Sequence, residues 1–554
     1  MASRVYDSPY PAPHYPTNLS VSQFLLQSDP DDVPNGKAVF ADFDRPERQI
    51  TYWQLRETAA KDAATLKQTY GLREGDVVCI YGQNSLEWIS LVHAVLWAGG
   101  CFCGINPLAT KFELEHYFKV ATPKVVFTDG KLLDNVRHAL NVLKVSPLVI
   151  MIDDGDLYSA RGQPIYPRDF LKNGFSSIQP FDLSHKDNRQ VPAGMIFSSG
   201  TSGNPKGVQL SHHNIIAHLL TLRATNPFTQ NTHMREAFFP SFSHIYGIIA
   251  GVLMPSWVGS YLQPMKKFDY LSYIKRCAEL RATVLRLVPA AAVRLTTDPE
   301  TRKLDLRTVQ SVMSSGAALS DETVEAMKRM LAPGVAILNG YGMSETTLTL
   351  LRETRGDKGA SVGRPAAGVS IRIVDDNFRD VEPGTDGECI VKGPTVFMGY
   401  KDDPDETQRT MRDGWLLTGD VVRADQDGFF YLTGRKKELI KFKGNQIPPT
   451  ELEAVLQLHH KVAEAGVCGV WDKKLETEIA VGFVILDSDV KQSSSKADTL
   501  EEIRQFVNER VASYKRFREP LIAIETLPRN TSGKLMRRHL SAKATELRSR
   551  TQKL

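Results

Sequence analysis

The sequence contains the polar stretch Ser198-Ser199-Gly200-Thr201-Ser202-Gly203-Asn204-Pro205-Lys206-Gly207, directly after the apolar run Gly194-Met195-Ile196-Phe197. The apolar run is typical of a buried strand, and the polar stretch is typical of a loop at its end. Glycines let backbone amides turn inward, hydroxyl groups add hydrogen-bond donors, and Lys206 adds a mobile positive charge. Together they predict a cradle for phosphate. The stretch is not a Walker loop, because the glycine before the lysine and the Ser or Thr after it are missing.

Around this loop, short apolar runs rich in β-branched residues alternate with longer helical patterns. One helical pattern covers 52–70, and the apolar runs include Val77-Val78-Cys79-Ile80, Lys124-Val125-Val126-Phe127 and Leu148-Val149-Ile150-Met151-Ile152. Strands that alternate with helices build α/β layers in which most strands are parallel. We therefore predict an α/β fold, with the phosphate loop in a large N-terminal domain of α/β layers.

From about Gly363 the strand patterns become shorter and turns become frequent, which predicts a β-rich subdomain. The strands and turns concerned are Ile371-Arg372-Ile373-Val374, Pro383-Gly384, Asp386-Gly387 and Glu388-Cys389-Ile390-Val391. The basic run Arg435-Lys436-Lys437 then precedes a new series of helix and strand patterns that starts at Glu451. We predict an N-terminal domain over 1–433, a hinge at 434–437 and a small mobile α+β domain over 438–554.

Length and composition limit the possible classes of protein. A chain of 554 residues exceeds the size at which a single core keeps growing, so at least two domains are expected. A formal net charge of +4 is too small for this length to indicate a nucleic-acid partner. The six cysteines are dispersed, without the spacing of a metal site or a disulfide framework, which indicates a reducing compartment and buried free thiols. The longest apolar stretch, around 90–105, is shorter than the roughly 20 residues of a membrane span.

Five further motifs follow the phosphate loop in order. They are Phe239-Pro240-Ser241-Phe242-Ser243-His244-Ile245-Tyr246-Gly247, Ser315-Gly316-Ala317-Ala318, Asn339-Gly340-Tyr341-Gly342-Met343-Ser344-Glu345, Trp415-Leu416-Leu417-Thr418-Gly419-Asp420 and Asn530-Thr531-Ser532-Gly533-Lys534. With the phosphate loop they resemble the adenylate-forming superfamily of acyl-CoA synthetases, nonribosomal adenylation domains and luciferases. The resemblance covers nearly the whole chain and is strongest to the hydroxycinnamate:CoA ligase branch.

The resemblance implies a site for ATP and Mg²⁺. Glu345 would ligate magnesium as a hard oxygen donor. Tyr341 would stack on adenine, and Asp420 would accept hydrogen bonds from both ribose hydroxyls. The other residues that the resemblance places around the nucleotide are Ser198, Ser199, Gly200, Thr201, Ser202, Gly203 and Lys206 at the phosphates, and Gly316, Ala317, Ala318, Gly342 and Ser344 near the adenosine.

The resemblance also assigns residues near the C-terminus to two half-reactions. Lys534 would bridge the acid's carboxylate and the α-phosphate during adenylation, which is an electrostatic contribution to the transition state. Arg435 would contact ribose or phosphate, and Lys437 would be the pivot about which the small domain rotates. Lys441 and Gln446, on the opposite face of that domain, would serve thioester formation with coenzyme A. Gly434 stands where many relatives have Asp, so the geometry of the hinge is left open.

An acyl pocket follows from the same resemblance. His244 would be the gate of the acyl tunnel, and the aligned lining positions are Tyr246, Ala250, Gly316, Gly342, Leu348 and Thr349. These side chains are small or aromatic and include no Asp, Lys or Arg, which favours an aryl or medium-length aliphatic acid. An amino-acid substrate would require a buried carboxylate opposite its ammonium group.

The favoured function is an ATP-dependent acid:CoA ligase that forms acyl-AMP and then the acyl-CoA thioester. Two alternatives remain open, namely loading of a separate carrier protein and a luciferase-like oxidation of the adenylate. A catalytically silent binding module is a further class, but it would be expected to lose Lys534, Glu345 or the phosphate loop. The expected partners are a small carboxylic acid and coenzyme A.

The ends of the chain bear on localisation. The N-terminus has neither the apolar core of a secretory signal nor a clear transit-peptide pattern, so a cytoplasmic protein is expected. Gln552-Lys553-Leu554 resembles the peroxisomal Ser-Lys-Leu address, with Gln in place of Ser. A peroxisomal import receptor is therefore a second expected partner to test.

Overall fold

A computed structural model describes residues 4–153, 162–172, 174–198, 205–314, 319, 321–347, 349–351, 358, 361–436, 438–442, 445–472, 475, 477–487, 495–511, 513–529 and 535–551. Its helices are α1 (Val21–Gln27), α2 (Tyr52–Gln68), α3 (Leu86–Ala98), α4 (Lys111–Ala121), α5 (Leu133–Leu143), α6 (Arg168–Lys172), α7 (His212–Thr225), α8 (Met254–Val258), α9 (Tyr270–Glu279), α10 (Pro289–Thr297), α11 (Asp321–Met330), α12 (Pro404–Thr410), α13 (Pro449–Gln457), α14 (Lys496–Arg510) and α15 (Arg537–Thr551). A π-helix over Gly247–Leu253 precedes α8.

The strands up to the phosphate loop and its return are β1 (Tyr6–Asp7), β2 (Ala38–Ala41), β3 (Gln49–Thr51), β4 (Val77–Tyr81), β5 (Cys101–Ile105), β6 (Val125–Asp129), β7 (Leu148–Ile152), β8 (Ile165–Tyr166), β9 (Pro192–Ser198) and β10 (Lys206–Ser211). Those up to the predicted hinge are β11 (Arg235–Phe238), β12 (Tyr261–Pro264), β13 (Val284–Leu287), β14 (Ser311–Ser314), β15 (Ala336–Tyr341), β16 (Leu350–Leu351), β17 (Arg364–Pro365), β18 (Ser370–Val374), β19 (Gly387–Lys392), β20 (Gly399–Tyr400), β21 (Met411–Arg412), β22 (Trp415–Ala424) and β23 (Phe430–Arg435). The last are β24 (Ile440–Phe442), β25 (Asn445–Ile447), β26 (Val462–Asp472), β27 (Thr477–Leu486) and β28 (Ile522–Ala523).

Two compact units are distinguished by their internal contacts. The first comprises 1–371 and 391–416, and the second comprises 372–390 and 417–554. This division differs from the predicted boundary in two ways. Residues 372–390 belong to the second unit, and the chain passes into that unit after Leu416, before the basic run at 435–437. The placement of a hinge at 434–437 therefore stays a prediction.

The first unit contains an eight-stranded sheet in the order β20-β10-β9-β5-β4-β6-β7-β8. The pairs β4–β5, β4–β6, β5–β9, β6–β7 and β7–β8 are parallel, and β10 returns antiparallel to β9. The central strands are buried because their β-branched and aromatic side chains are covered on both faces. The predicted fold of α/β layers with mainly parallel strands is thereby confirmed.

The apolar stretch around 90–105 forms α3 and β5, and their residues are buried. None of the helices within the described part of the chain combines the length and apolarity that crossing a membrane requires. All six cysteines are buried free thiols, as predicted.

Two further sheets of the first unit carry site residues. Strands β11, β12, β2 and β3 form a four-stranded sheet, and β13, β14, β15, β16 and β17 form a five-stranded one. Within the latter, β13, β14 and β15 are parallel, so their carboxyl ends meet at one edge. Such an edge is where α/β sheets commonly bind ligands.

The second unit has its own core. Antiparallel strands β26 and β27, with β28 beside them, pack with α13, α14 and α15 around Val467, Phe483 and Ile503. The short strands predicted after Gly363 are observed as β18, β19, β22 and β23, with β22 and β23 antiparallel. Both a β-rich part and a small α+β part are therefore present.

Candidate active site

The predicted phosphate loop joins β9 to β10. Ser198 ends β9, Lys206 begins β10, and the two residues are paired across the antiparallel ladder. The loop residues Ser199, Gly200, Thr201, Ser202 and Gly203 lie outside the described residues. The end of the loop is held by His116, whose Nε2 donates to the carbonyl of Pro205 at 2.6 Å. The loop thus starts and ends on two adjacent strands, which fixes the position of Lys206.

Lys206 belongs to a small polar cluster in the first unit. Its ammonium group forms an ion pair with Glu406 and lies 5.0 Å from the ring centroid of Tyr400. The Tyr400 hydroxyl donates to Oε1 of Glu345 at 2.9 Å. The lysine predicted to bind phosphate and the carboxylate predicted to bind magnesium are therefore linked through a single tyrosine.

Backbone pairing explains why these side chains meet. Tyr400 lies on β20, opposite Val208 of β10, and the amide of Lys401 donates to the carbonyl of Gly207 at 2.8 Å. On the other side, the amide of Phe397 donates to the carbonyl of Glu345 at 2.9 Å. Strand β20 thus holds Tyr400 between the phosphate loop and the Glu345 segment.

The charges of the cluster are consistent with its hydrogen bonds. The hydrogen bond that Glu406 accepts from Lys206 lowers the pKa of the Glu406 carboxyl, so this group stays ionised. Burial raises the pKa of Tyr400, and the neighbouring Glu345 raises it further, so the phenol keeps its proton and donates it. Glu345 is itself buried. Magnesium is usually held by one or two carboxylates together with substrate phosphates, so a buried carboxylate near this loop fits it.

The predicted adenine-binding segments follow neighbouring parallel strands. Tyr341 ends β15 and is buried, while the segment 315–318 follows β14. Gly316, Ala317 and Ala318 lie outside the described residues. After Tyr341 the chain turns, with Ser344 buried and the hydroxyl of Thr347 hydrogen-bonded to the imidazole of His218. Strands β14 and β15 end at the same edge of the sheet, and a nucleotide can be bound at such an edge.

Three of the predicted acyl-pocket residues lie close together in the chain. His244 is accessible to solvent, and its Nδ1 accepts from the backbone amide of Tyr246 at 3.3 Å. Tyr246 is half-buried, and Ala250 is buried in the π-helix about one turn further on. The residues predicted as the gate and as part of the lining thus lie just before the π-helix or within it.

The other predicted lining positions differ from one another. Gly342 is exposed, whereas Thr349 is fully buried and its hydroxyl is hydrogen-bonded to that of Thr346 at 2.7 Å. Leu348 and Gly316 lie outside the described residues. The sequence predicts a lining without charged residues, and that prediction did not include Arg286. The Arg286 guanidinium donates to the Tyr246 hydroxyl. A charged group therefore lies one hydrogen bond behind a predicted pocket residue.

The second unit carries the predicted ribose acceptor. Asp420 of β22 is buried and faces Arg435 of β23 in the ladder, with 2.9 Å between Asp420 Oδ1 and Arg435 Nε. The next residue, Lys436, pairs with Glu388 at 2.9 Å. A Cβ at Gly434 would lie 3.2 Å from Leu439 Cδ2, so a larger residue would have to displace this neighbour. Asp420 and Arg435 are thus joined both by strand pairing and by an ion pair. Lys437 lies outside the described residues.

The residues predicted for thioester formation lie opposite each other on the β24–β25 hairpin. Lys441 and Gln446 are cross-strand partners, and the Lys441 side chain is exposed. The backbone of Lys441 is fixed because its amide donates to Glu478 at 2.7 Å and its carbonyl accepts from Thr477 at 2.7 Å. Lys534 lies outside the described residues. The hairpin thus pairs the backbones of Lys441 and Gln446, and their role in thioester formation stays a prediction.

Sequence reasoning missed Tyr400, Glu406, Glu236 and Arg286. The first two lie between the motif that ends at Glu345 and the one that begins at Trp415, and the pairing of β20 with β10 brings them to the site. The last two form a buried ion pair and carried a usable signal, since a charge within an apolar strand such as Val284-Leu285-Arg286-Leu287 must be paired when buried.

Comparison with known proteins places the chain among the adenylate-forming enzymes. The family described as AMP-binding enzyme matches residues 27–401, and its C-terminal domain matches 451–534. A probable CoA ligase of Humulus lupulus is 31% identical over 92% of this chain and 91% of its own. A phenylacetyl-CoA ligase of Aspergillus niger is 31% identical over 92% and 94%. The ATP-bound crystal structure of MatB from Rhodopseudomonas palustris is 25% identical, covers 96% and 99%, and has a TM-score of 0.83.

The chain belongs to the AMP-binding enzyme family. The family resemblance inferred from the motifs and the predicted fold are thereby confirmed. The roles of individual site residues stay predictions.

Proposed function

We propose that this chain is an ATP-dependent acid:CoA ligase. It forms acyl-AMP and pyrophosphate from an acid and ATP, and then transfers the acyl group to the thiol of coenzyme A with release of AMP. The family membership and the CoA ligases among its relatives support this enzyme class. The observation that carries the proposal is the cluster of Lys206, Tyr400 and Glu345 beside the phosphate loop, since it combines a cation for phosphate with a carboxylate for magnesium.

Adenylation brings two anions together, because the acid's carboxylate oxygen attacks the α-phosphate while pyrophosphate leaves. Lys206 would hold the terminal phosphates, and Asp420 would hold the ribose with Arg435 beside it. Bound magnesium, through Glu345, would supply further neutralisation of the phosphates. Lys534 would stabilise the charge that builds between the carboxylate and the α-phosphate. Lys441 and Gln446 would then serve the thioester step after rotation about Lys437.

In the structure the ammonium group of Lys206, which the phosphates of ATP would need, is paired with Glu406. Glu406→Gln should lower KM for ATP by about two- to fivefold, since a partly exposed ion pair contributes up to about 1 kcal/mol, and kcat should stay near wild type. Steady-state kinetics at saturating acid and coenzyme A measures both constants. Asp405→Asn is the matched control, because it removes the same charge from the neighbouring, exposed residue. An unchanged or raised KM in Glu406→Gln would show that this ion pair does not compete with ATP.

The acid is proposed to be aryl or medium-chain. Glycines at 316 and 342 and Ala250 would leave volume in the predicted tunnel, and Tyr246 would offer a ring face. A long fatty acid would leave methylenes in water, forgoing about 0.8 kcal/mol for each. Acid-dependent AMP release should therefore be higher with hexanoate, phenylacetate or coumarate than with acetate or palmitate. Gly316→Ile should lower kcat/KM for the best acid at least tenfold, roughly 1.4 kcal/mol, with ATP affinity nearly unchanged. Preference for palmitate or acetate would refute the pocket assignment.

Peroxisomal import through the terminal Gln-Lys-Leu is a separate proposal, and those three residues lie outside the described part of the chain. One relative is a peroxisomal CoA ligase of Arabidopsis thaliana. A reporter ending in the last twelve residues should coincide with peroxisomes, whereas uniform fluorescence would refute this proposal.

A further inference from the structure

A buried histidine of helix α7 contacts the chain just after the predicted magnesium ligand, Glu345. The side chain of His218 is buried, and the hydroxyl oxygen of Thr347 lies 2.8 Å from its Nδ1 and 2.9 Å from its Nε2. The same Nε2 lies 3.0 Å from the backbone carbonyl of Thr395. One imidazole thus joins two segments that are far apart in the chain.

The carbonyl of Thr395 determines how this imidazole is protonated. A carbonyl oxygen can only accept, so Nε2 must carry a hydrogen and donate it. Burial lowers the pKa of His218 to about 4, so the ring is neutral near pH 7 and has a single N–H group. Nδ1 therefore accepts from the hydroxyl of Thr347. A neutral ring also adds no positive charge beside a site for a cation.

The backbone of Thr347 explains what this hydrogen bond is needed for. Its φ is +55°, in the left-handed region, which is unfavourable for a β-branched residue and persists only where the surroundings impose it. The amide of Thr347 donates to the carbonyl of Met343 at 2.7 Å and closes a turn that contains Glu345. The bond to His218 holds the side chain of the residue that ends this turn.

The second segment holds Glu345 from another direction. The amide of Phe397 donates to the carbonyl of Glu345 at 2.9 Å, and the hydroxyl of Tyr400 donates to its carboxylate at 2.9 Å. Thr395, which His218 binds, lies two residues before Phe397. The contacts therefore form a closed ring that runs from the Glu345 turn through the imidazole to the segment before β20 and back to Glu345.

Helix α7 is suited to hold both segments, since it follows β10 directly. Asn214 lies one turn before His218 on the same face of the helix. Its Nδ2 donates to the carbonyls of Pro394 and Val396 at 3.0 and 2.8 Å. The helix that leaves the predicted phosphate strand thus anchors the segment that binds Glu345.

We propose that His218 is a positioning residue of the magnesium site, which holds the left-handed turn at Thr347 and so fixes the direction in which the Glu345 carboxylate meets the ion. The inference rests on the proposed function, because it takes Glu345 to bind magnesium. Groups that orient a metal ligand from behind commonly change metal affinity when they are removed. The effect of His218 should therefore appear in the magnesium dependence.

His218→Leu should raise the free Mg²⁺ needed for half-maximal pyrophosphate exchange by about three- to tenfold, the effect of one hydrogen bond. Leucine can neither accept from the hydroxyl nor donate to the carbonyl. His218→Gln should stay within about twofold of wild type, because its amide group can do both. KM for the acid should change little in either variant, since the amide of Thr349 is held separately by the carbonyl of Tyr341 at 3.0 Å.

His212→Leu is the matched control, because it removes another fully buried imidazole of α7, whose Nδ1 accepts from the amide of Val21 at 3.0 Å. It should lower the yield of folded protein but keep the magnesium dependence of wild type. The Mg²⁺ concentration for half-maximal activity does not depend on the folded fraction. An unchanged value in His218→Leu, or an equal shift in His212→Leu, would overturn the proposal.

Two variants of Thr347 separate the turn from the hydroxyl group. Thr347→Val and Thr347→Gly both lack the hydroxyl, but only glycine adopts a positive φ without strain. Thr347→Val should therefore shift the Mg²⁺ dependence as His218→Leu does, and Thr347→Gly should shift it clearly less. Equal shifts would show that the turn is not what His218 holds and would overturn the proposal. If His218→Leu does not fold, this pair decides.

The outcomes separate this inference from the proposed function. Absence of acid-dependent pyrophosphate exchange in wild type would refute the proposed function. Exchange in wild type, together with an unshifted magnesium dependence in His218→Leu, would overturn the inference alone.

Discussion

Lys534→Ala should lower acid-dependent pyrophosphate exchange by on the order of 100-fold or more, because one positive charge then no longer stabilises the transition state of adenylation. The same variant should still convert supplied acyl-AMP and coenzyme A to acyl-CoA at a rate near that of wild type. Lys441→Ala should show the reverse pattern, with normal exchange and a slow thioester step. Two assays on each purified variant, exchange and single-turnover thioester formation, measure both half-reactions.

The structure supports the part of this prediction that concerns Lys441→Ala. Lys441 extends from a hairpin whose backbone is held by Glu478 and Thr477, so removal of its side chain should leave the strand intact. Lys543→Ala removes an exposed lysine of α15 and serves as the matched control. Normal pyrophosphate exchange in Lys534→Ala would show that its assignment is wrong.

Glu345→Gln should lower kcat/KM for magnesium-ATP by on the order of 100-fold, because a neutral amide no longer offers the charged oxygen that the ion requires. Tyr400→Phe should lower it by only about tenfold, since it removes one hydrogen bond to that carboxylate and leaves the charge in place. Pyrophosphate exchange as a function of free Mg²⁺ at fixed ATP measures the effect, and half-activation should move to higher Mg²⁺ in both variants.

A matched control for Glu345→Gln is Glu279→Gln, which removes the same charge from an exposed residue of α9. A Glu345→Gln enzyme with the magnesium dependence of wild type would remove Glu345 from the metal site. A larger loss in Tyr400→Phe than in Glu345→Gln would instead indicate that Tyr400 contacts the substrate directly.

The parts of the fold that follow from local patterns could be predicted from the sequence. The apolar run before the phosphate loop is β9, which ends at Ser198, and the chain returns as β10 from Lys206. The β-branched runs at 77–80, 124–127 and 148–152 correspond to the parallel strands β4, β6 and β7. In each case the residues that decide the structure are neighbours in the chain, so periodicity carries the information.

The parts that depend on contacts between distant residues could not be predicted in this way. Glu406 is 200 residues from Lys206, and only the pairing of β20 with β10 brings its helix to the phosphate loop. The same holds for Glu236 and Arg286, whose charges could be noticed in the sequence but whose partner could not be identified. Thr349 is a third example, because alignment to a motif does not show that its hydroxyl is bonded to Thr346.

The central claim, that the chain activates a carboxylic acid as an adenylate for transfer to coenzyme A, is tested most directly by product analysis. The purified protein is incubated with magnesium-ATP and an aryl or medium-chain acid, with and without coenzyme A. We expect acid-dependent exchange of pyrophosphate into ATP without coenzyme A, and AMP and acyl-CoA in equal amounts when coenzyme A is present. Formation of ADP in place of AMP, or the absence of acid-dependent exchange with every acid of the panel, would contradict the claim.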